Sequence, residues 1–402
     1  MDARIVRLRA LTSADEVAWR DLASRAVEPN PLFEPECLVP AADHQDYGDE
    51  LEVAFAEEGG RFFAAVPLRA VTSWRSFPYP FVTTKVRRMS YCGTPLVDAE
   101  RGVEAVAAVV AELRAHKTAL RGRVLALNEV HQDGPVDDII QRAVATLGLP
   151  LQRYESWERG ILRRRDGGNY LGLQNTKFKK GVRRCARRLQ ESLGEEPVLV
   201  DRSDDPAAID RYIEMEASGY KRATGVAMST VDGEPAYFRG MCRRFAQEGR
   251  LFVYALECAG RTLAMGIFVR AGVGWFALKM SYDERFARFS PGVQVHLGAM
   301  ERFHDTTDAQ WIDTCSTPEH AILMKLYVDR KRYTSFFVVL GHNPVDRLAV
   351  WMFMTVRPLH RRVVEWLRAR RRRPARPDAW EPDGASGPEV TDRDDDTVAV
   401  SA

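Results

Sequence analysis

No apolar run in this 402-residue chain approaches the ~18 residues that a bilayer-spanning helix needs. The longest, Leu348–Val356, is about half that length. The start, Met1-Asp-Ala-Arg-Ile, lacks the apolar core of a signal peptide. The 6 cysteines, Cys37, Cys92, Cys185, Cys242, Cys258 and Cys315, lie far apart with no C-x-x-C pair. That spacing argues against a zinc site or a disulfide framework and fits a reducing cytosol. The 8 histidines are scattered too, so no metal site is expected. An excess of charge is also missing: 58 Lys and Arg face 56 Asp and Glu, a net charge of +2, so binding to nucleic acid or membrane would have to be local. Finally, the sequence has no G-x-S-x-G, H-E-x-x-H, G-x-x-x-x-G-K-[ST] or strand-borne G-x-G-x-x-G, which removes the commonest hydrolase, zinc-protease, P-loop and dinucleotide signatures.

What is present reads as a soluble globular protein, with 45% hydrophobic and 28% charged residues. The length suggests two domains. Over 1–154 the pattern gives a helix at Asp15–Val27, a short helix or loop at Pro35–Ala42, and a hairpin of Leu51–Phe55 with Arg61–Ala70. A strand and Gly/Pro loop at Met89–Leu96 follows, then a helix at Val103–His116, a strand at Val124–Leu127, a helix at Val136–Leu147 and a strand at Leu151–Tyr154. The same order recurs over 206–340. There the hairpin is Leu251–Cys258 with Arg261–Arg270, followed by a strand at Gly274–Tyr282, a loop ending in Ser290-Pro-Gly292 and a helix at Val293–His304. A strand at Gln310–Cys315, a helix at Pro318–Asp329 and a strand at Tyr333–Leu340 complete it. Element order repeats although sequence does not, which points to two copies of one fold. The expected boundaries are 1–160 for a degenerate first copy, 161–205 for a basic connector, 206–343 for the second copy, 344–373 for a basic helical segment and 374–402 for a disordered tail.

Two basic stretches stand apart from this pattern. In Tyr170–Leu193, Phe178, Val182, Cys185 and Leu189 recur at helical spacing, and Lys180, Arg183, Arg184, Arg187 and Arg188 occupy the opposite face. This is either a solvated surface helix or a positive wall beside a phosphate-bearing ligand or an RNA backbone. Further on, Leu359, Val363 and Leu367 share a helical face and precede Arg368 and Arg370 to Arg373. Such a helix either lies on an anionic membrane surface, with 346–373 as the contacting segment, or packs on the domain with a solvated end.

The strand–loop–helix around Gly292 is where a phosphate would bind, because free N–H groups point out of a helix start. Ser-Pro-Gly is equally an ordinary helix start. Glu216-Ala-Ser-Gly-Tyr-Lys221, Tyr282-Asp283, Ser290-Pro-Gly292, Asp313 and Lys325 form an ordered set. That set resembles the Gcn5-related N-acetyltransferase (GNAT) superfamily, and within it the BioF2-like or cellulose-biosynthesis-type branch. The resemblance covers roughly 170–340 and, more weakly, 1–150. It implies an α/β (α+β) fold of tandem GNAT-like domains, each a mixed twisted sheet with helices on both faces.

The resemblance also implies an acyl-CoA, acetyl-CoA or longer, as co-substrate of an N-acyltransferase with no metal. Its pantetheine arm would pair with Phe276–Ser281, so Met280 and Ser281 enter the cofactor site. Its pyrophosphate would sit on Arg288–Gln294, through Arg288, Ser290, Gly292, Val293 and Gln294. Glu216 is a candidate general base, or else a helix-surface carboxylate paired with Lys221 or Arg222. Tyr327 stands where the superfamily often places a thiolate-protonating tyrosine, with His320 at the position of an asparagine. From its residue type alone Tyr327 is as readily core. Asp313 either orients the amine or caps a turn. Lys221, Lys279, Tyr282 and Lys325 are candidates for substrate contact, and the two lysines at 279 and 325 read equally as snorkelling side chains.

The superfamily pattern Arg/Gln-x-x-Gly-x-Gly/Ala is reduced here to one glycine, with Gln294 in place of the second small residue. That keeps the related Fem-type transferases open, tandem copies of the fold that use aminoacyl-tRNA. A third reading is a non-catalytic accessory of a polysaccharide or lipid pathway at a membrane surface. The expected acceptor is a small-molecule or cell-envelope amine. The expected location is the cytoplasm, with peripheral contact at the inner face of the membrane.

Overall fold

The computed structural model describes residues 1–73, 79–86, 91–115, 123–219 and 227–356. The first half runs β1 (Asp2–Arg7), α1 (Ser13–Arg25), α2 (Pro35–His44), β2 (Leu51–Glu58), β3 (Arg61–Val71), β4 (Phe81–Thr83), β5 (Leu96–Val97), α3 (Gly102–Ala115), β6 (Val124–His131), α4 (Pro135–Thr146) and β7 (Leu151–Arg163). The basic α5 (Thr176–Leu193) follows. The second half runs β8 (Val198–Asp201), α6 (Ala208–Ser218), α7 (Glu234–Gln247), β9 (Leu251–Cys258), β10 (Arg261–Ala271), β11 (Gly274–Tyr282), α8 (Pro291–Thr306), β12 (Trp311–Asp313), α9 (Ala321–Leu326) and β13 (Asp329–Val339). Residues 344–356 are helical.

The expected order of elements is present in both halves, and the β9–β10 hairpin and β11 fall at the anticipated residues. Three short strands, β1, β4 and β8, were not anticipated. The Met89–Leu96 strand reduces to β5 at its far end, with 87–90 outside the described residues. Asn175 caps α5 by accepting a hydrogen bond from the Phe178 N–H, and Gly194 ends it at φ 80°. The sequence showed α5 by its periodicity alone; these two caps fix where it starts and stops.

The strands form one sheet in the order β1-β2-β3-β4-β6-β13-β7-β12-β11-β10-β9-β8. Read from each edge inward, the halves match. An outer strand and a hairpin come first, then a parallel pair joined by a helical crossover: β4 with β6, and β11 with β12. The innermost strands are exchanged. β13 pairs with β6 of the first half, β7 pairs with β12 of the second, and β7 and β13 pair antiparallel along most of their length. The expectation that Tyr333–Leu340 closes the sheet of its own half is therefore corrected. β12 has only three paired residues, and its free side is already taken by Ile161 to Arg163 of β7.

Helices cover both faces. On one face α3 and α4 pack Val106, Val110 and Ile140 onto the first half, and α5 and α8 pack Leu189, Val295 and Phe303 onto the second. On the other face a single apolar cluster draws on both halves: Trp19 and Leu22 of α1, Leu38 of α2, and Phe238 and Met241 of α7. Across the α2–α7 contact the Cys37 thiol and the Tyr237 hydroxyl lie 3.1 Å apart. Full burial of so many large side chains removes apolar area from water at roughly 25 cal/mol per Å².

Candidate active site

β11 positions the first part of the site. It pairs with β10 out to Tyr282 but with β12 only through Gly274, Trp275 and Phe276. Among the described residues no strand covers the far edge of β11 beyond Phe276. Gly274 makes that parallel pairing fit, because a Cβ there would lie 2.2 Å from the Trp311 ring. The β10–β11 ladder slips between Ile267 and Phe268, where Leu278 is the extra residue on β11. Such a bulge re-aims the residues after it, here Lys279 to Tyr282.

Beyond the loop, Ser290 carries the backbone into α8. It is Ser290 at φ 50°, ψ 54°, and not Gly292, that takes the left-handed conformation. A non-glycine residue there is uncommon and marks stored strain. Pro291 occupies the first helical turn, where its missing N–H costs nothing. The Ser290 side chain does not cap α8 and the first turn carries no acidic residue, so the positive end of the helix is left open. Gly292 lies over β11: a Cβ there would meet Met280 Cγ at 3.5 Å and Tyr282 Cδ1 at 3.7 Å, which is ordinary contact. The structure thus brings together Met280, Tyr282, Ser290, Gly292, Val293 and Gln294, whose side-chain amide donates to the Phe289 carbonyl at 3.2 Å. Ser281 is buried on the same strand. Arg288 is exposed, with its guanidinium 4.7 Å from the Phe289 ring centroid.

Tyr327 is placed differently from a helix-face tyrosine. α9 ends at Leu326, and Tyr327 is the fully buried residue just past it. Its hydroxyl lies 2.8 Å from Nδ1 of His296, on the second turn of α8. Burial, with His320 nearby, pushes the imidazole down to about 3, so His296 is neutral. Burial likewise pushes the phenol up. This neutral Tyr–His pair links α8 to the end of α9. Sequence reasoning missed His296, although its place four residues after Gly292 is a usable signal.

Glu216 and Lys279 meet across the other face of β11. Glu216 is buried at the end of α6, accepts the Met228 N–H at 3.0 Å, and has a carboxylate oxygen 3.8 Å from Lys279 Nζ. Lys279 lines a small open cleft together with Leu32, Tyr91, Glu234, Tyr237, Leu278 and Cys315 among others. Leu32 and Tyr91 come from the first half and the others from the second, so both halves wall this space. Lys221 lies outside the described residues. Lys325 is exposed on α9 and does not line the cleft.

Asp313 ends β12 inside a closed polar cluster and does not face solvent. Its carboxylate accepts from Arg159 Nη1 at 3.1 Å, from the Cys315 N–H at 2.8 Å and from the Tyr333 hydroxyl. Burial pushes this carboxyl up, but Arg159, Lys331 and the Tyr333 hydroxyl outweigh it and hold it below the usual range. Arg159 also donates to Cys92 Sγ at 3.1 Å and to the Ser316 carbonyl at 3.0 Å, and its guanidinium stands 4.2 Å from the Tyr333 ring centroid. Cys92 and Cys315 face each other at 4.0 Å. The Cys92, Asp313 and Cys315 ligand atoms lie within 4.8 Å of one another, but Arg159 already supplies the positive charge there. Residues of β7, β12, β13 and the segment before β5 meet in this cluster, so it pins the strand exchange.

The fold and this strand–loop–helix define a GNAT-type architecture, built twice. Residues 176–319 match the family model of the acetyltransferase (GNAT) domain, and the first half of the sheet repeats the arrangement of the second. Among solved structures, FemX is similar with a TM-score of 0.56 at 11% identity, covering 87% of this chain and 99% of that one. A conserved protein of unknown function from Bacteroides thetaiotaomicron is similar at 0.54 and 11%, covering 82% and 98%. So is the C-terminal domain of an Agrobacterium fabrum protein described as a lysylphosphatidylglycerol synthetase, at 0.50 and 14%, covering 85% and 96%. At these identities the likeness is one of fold. No curated protein sequence matches the chain.

Proposed function

We propose that the protein is an N-acyltransferase that moves an acetyl or longer acyl group from acyl-CoA to an amine. One observation carries this reading: within the matched GNAT domain, β11 parts from β12 beside the open, acid-free start of α8. The residues present fit a phosphorylated carrier. Beyond Phe276, where among the described residues no strand covers the far edge of β11, an amide-bearing arm can lie along the strand, and the α8 start faces it with the positive end of a helix, which suits a pyrophosphate. When bound, the carrier supplies the thioester. Glu216, buried behind Lys279, which lines the cleft, takes the proton from the amine directly or through water. The Tyr327 hydroxyl, held by neutral His296, is the proton source on the α8 side. Both halves line the cleft, which is where the acceptor enters.

Titration calorimetry with acetyl-CoA and longer acyl-CoAs is the direct test. Micromolar binding is expected, and no heat with any of them would sink the reading. Gly292→Asp should abolish binding by setting bulk and negative charge at the helix start. Gly292→Ala should leave the melting temperature within a degree or two, since its Cβ makes only ordinary contacts. Glu216→Gln should lower kcat by roughly 10²–10⁴-fold with acyl-CoA affinity unchanged.

A second reading, an aminoacyl-tRNA-dependent Fem-like transferase, is favoured by α5. Lys180, Arg183, Arg184, Arg187 and Arg188 are all exposed on it, and Glu191 is the only acid in the helix. Binding of tRNA that falls steeply with salt and vanishes when these arginines are reversed would support it over the first.

A further inference from the structure

The helical residues 344–356 bury one face and expose another that is just as apolar. Ala349 is buried, and Val350 and Phe353 pack on the sheet, with Phe353 5.0 Å from the Phe337 ring centroid and 5.6 Å from that of Tyr154. Asp346 is buried on this side, accepting from the Tyr79 hydroxyl. On the other side Val345, Leu348, Trp351, Met352 and Val356 point outward. Trp351 is 59% exposed and Leu348 52%, a large departure for side chains that gain most from burial. Positions 345, 348, 352 and 356 follow the three- and four-residue steps of one helical stripe, with Trp351 at its flank. Arg347 is the only charged side chain on the exposed side of this helix.

A stripe of this kind is explained by what covers it, and the adjoining sequence says what that is. Directly after Val356, residues 357–373 hold eight arginines and a single carboxylate, Glu365. An apolar stripe with an interfacial tryptophan beside a dense basic run matches a bilayer surface carrying anionic lipid. The apolar side chains reach the acyl boundary and the arginines meet the headgroups. A second copy of this chain would instead set like charges against each other. We infer that residues 345–356 are a docking surface for an anionic lipid bilayer, the charge of the adjoining sequence selecting that partner. Among the described residues no helix is long and apolar enough to cross a membrane. Each arginine at an anionic surface multiplies partitioning about fivefold, so a few engaged together are enough to bring the protein to the membrane. The last segment, 374–402, carries eight carboxylates against two arginines and is the built-in competitor for that basic run.

Vesicle flotation of the full chain tests this, with vesicles of phosphatidylcholine alone and mixed with phosphatidylglycerol. The expected result is flotation with the mixed vesicles only, lost in high salt and weakened more than tenfold by Leu348→Glu with Trp351→Glu. Both positions are exposed, so circular dichroism of that variant should match the parent. Truncation after Arg373 should tighten binding, and truncation after Val356 should abolish it. No flotation, or flotation indifferent to the double variant, overturns the inference. So does a light-scattering dimer that the double variant converts to monomer, which would assign the stripe to a second copy. If truncation after Val356 instead creates binding to neutral vesicles, the stripe is covered by the chain's own 357–373.

Discussion

Two side chains at the junction of the halves have no contact with water, and their charges explain much of the local order. Arg159 and Asp313 are completely buried at 3.1 Å. Removing one partner leaves the other as an uncompensated buried charge, at a cost of about 3–5 kcal/mol. Arg159→Met should therefore be strongly destabilising by chemical denaturation. Arg159→Met with Asp313→Leu should recover part of that loss, because the charge left behind is gone too. His296 makes a pH prediction. Its folded-state value of about 3 lies below the ordinary 6.5, so between those values the unfolded chain binds the extra proton. Stability is fully present above pH 6.5 and is lost as pH falls toward 3. His296→Phe should flatten the part of the denaturation-versus-pH curve that lies in that window. An unchanged slope would mean that the imidazole is not buried as placed.

At the scale of elements, the sequence disclosed what is local. The α5 periodicity, the Ala-Gly hairpin turn and the Ser-Pro-Gly helix start were legible because each is written in nearby residues. So was the proximity of Gly292 to the end of β11. The Tyr327–His296 pair was not legible, because it joins two helices whose approach depends on the sheet beneath them. Of the two roles read for Asp313, the turn cap matches its bond from the Cys315 N–H, but its partners Arg159 and Tyr333 come from strands whose neighbours no local pattern reveals. Short strands such as β4 and β12 have three residues each, too few to show an alternation. The parallel β11–β12 pair, on which the site depends, offers its own test at Gly274. Gly274→Val must push against the Trp311 ring and should cost about 1–3 kcal/mol by overpacking. The same variant should weaken acyl-CoA binding in calorimetry, whereas a bulky change at the exposed Val273 should do neither.

For the molecule as a whole, the exchange of β7 and β13 makes each half incomplete without the other. The apolar cluster shared by α1, α2 and α7 adds to that dependence. Urea unfolding followed by tryptophan fluorescence and by far-ultraviolet circular dichroism should give one coincident transition. Two separated transitions would mean that the halves are independently stable. Fragments 1–163 and 164–356 expressed singly should be insoluble, and their co-expression should restore a soluble pair.

The exchanged strands also set a timetable for synthesis. When β7 leaves the ribosome, one of its neighbours, β12, is nearly 150 residues away in the chain, and the other, β13, is further still. At ordinary translation speeds of about 5–20 residues per second, that is a wait on the order of ten to thirty seconds. Throughout it, β7 and the inner edge of β6 present open backbone to any strand that passes. The nascent first half is thus a natural client for chaperones. Slower elongation across 164–310 should lower the yield of folded protein, and matching the codon usage of that stretch to abundant tRNAs should raise it.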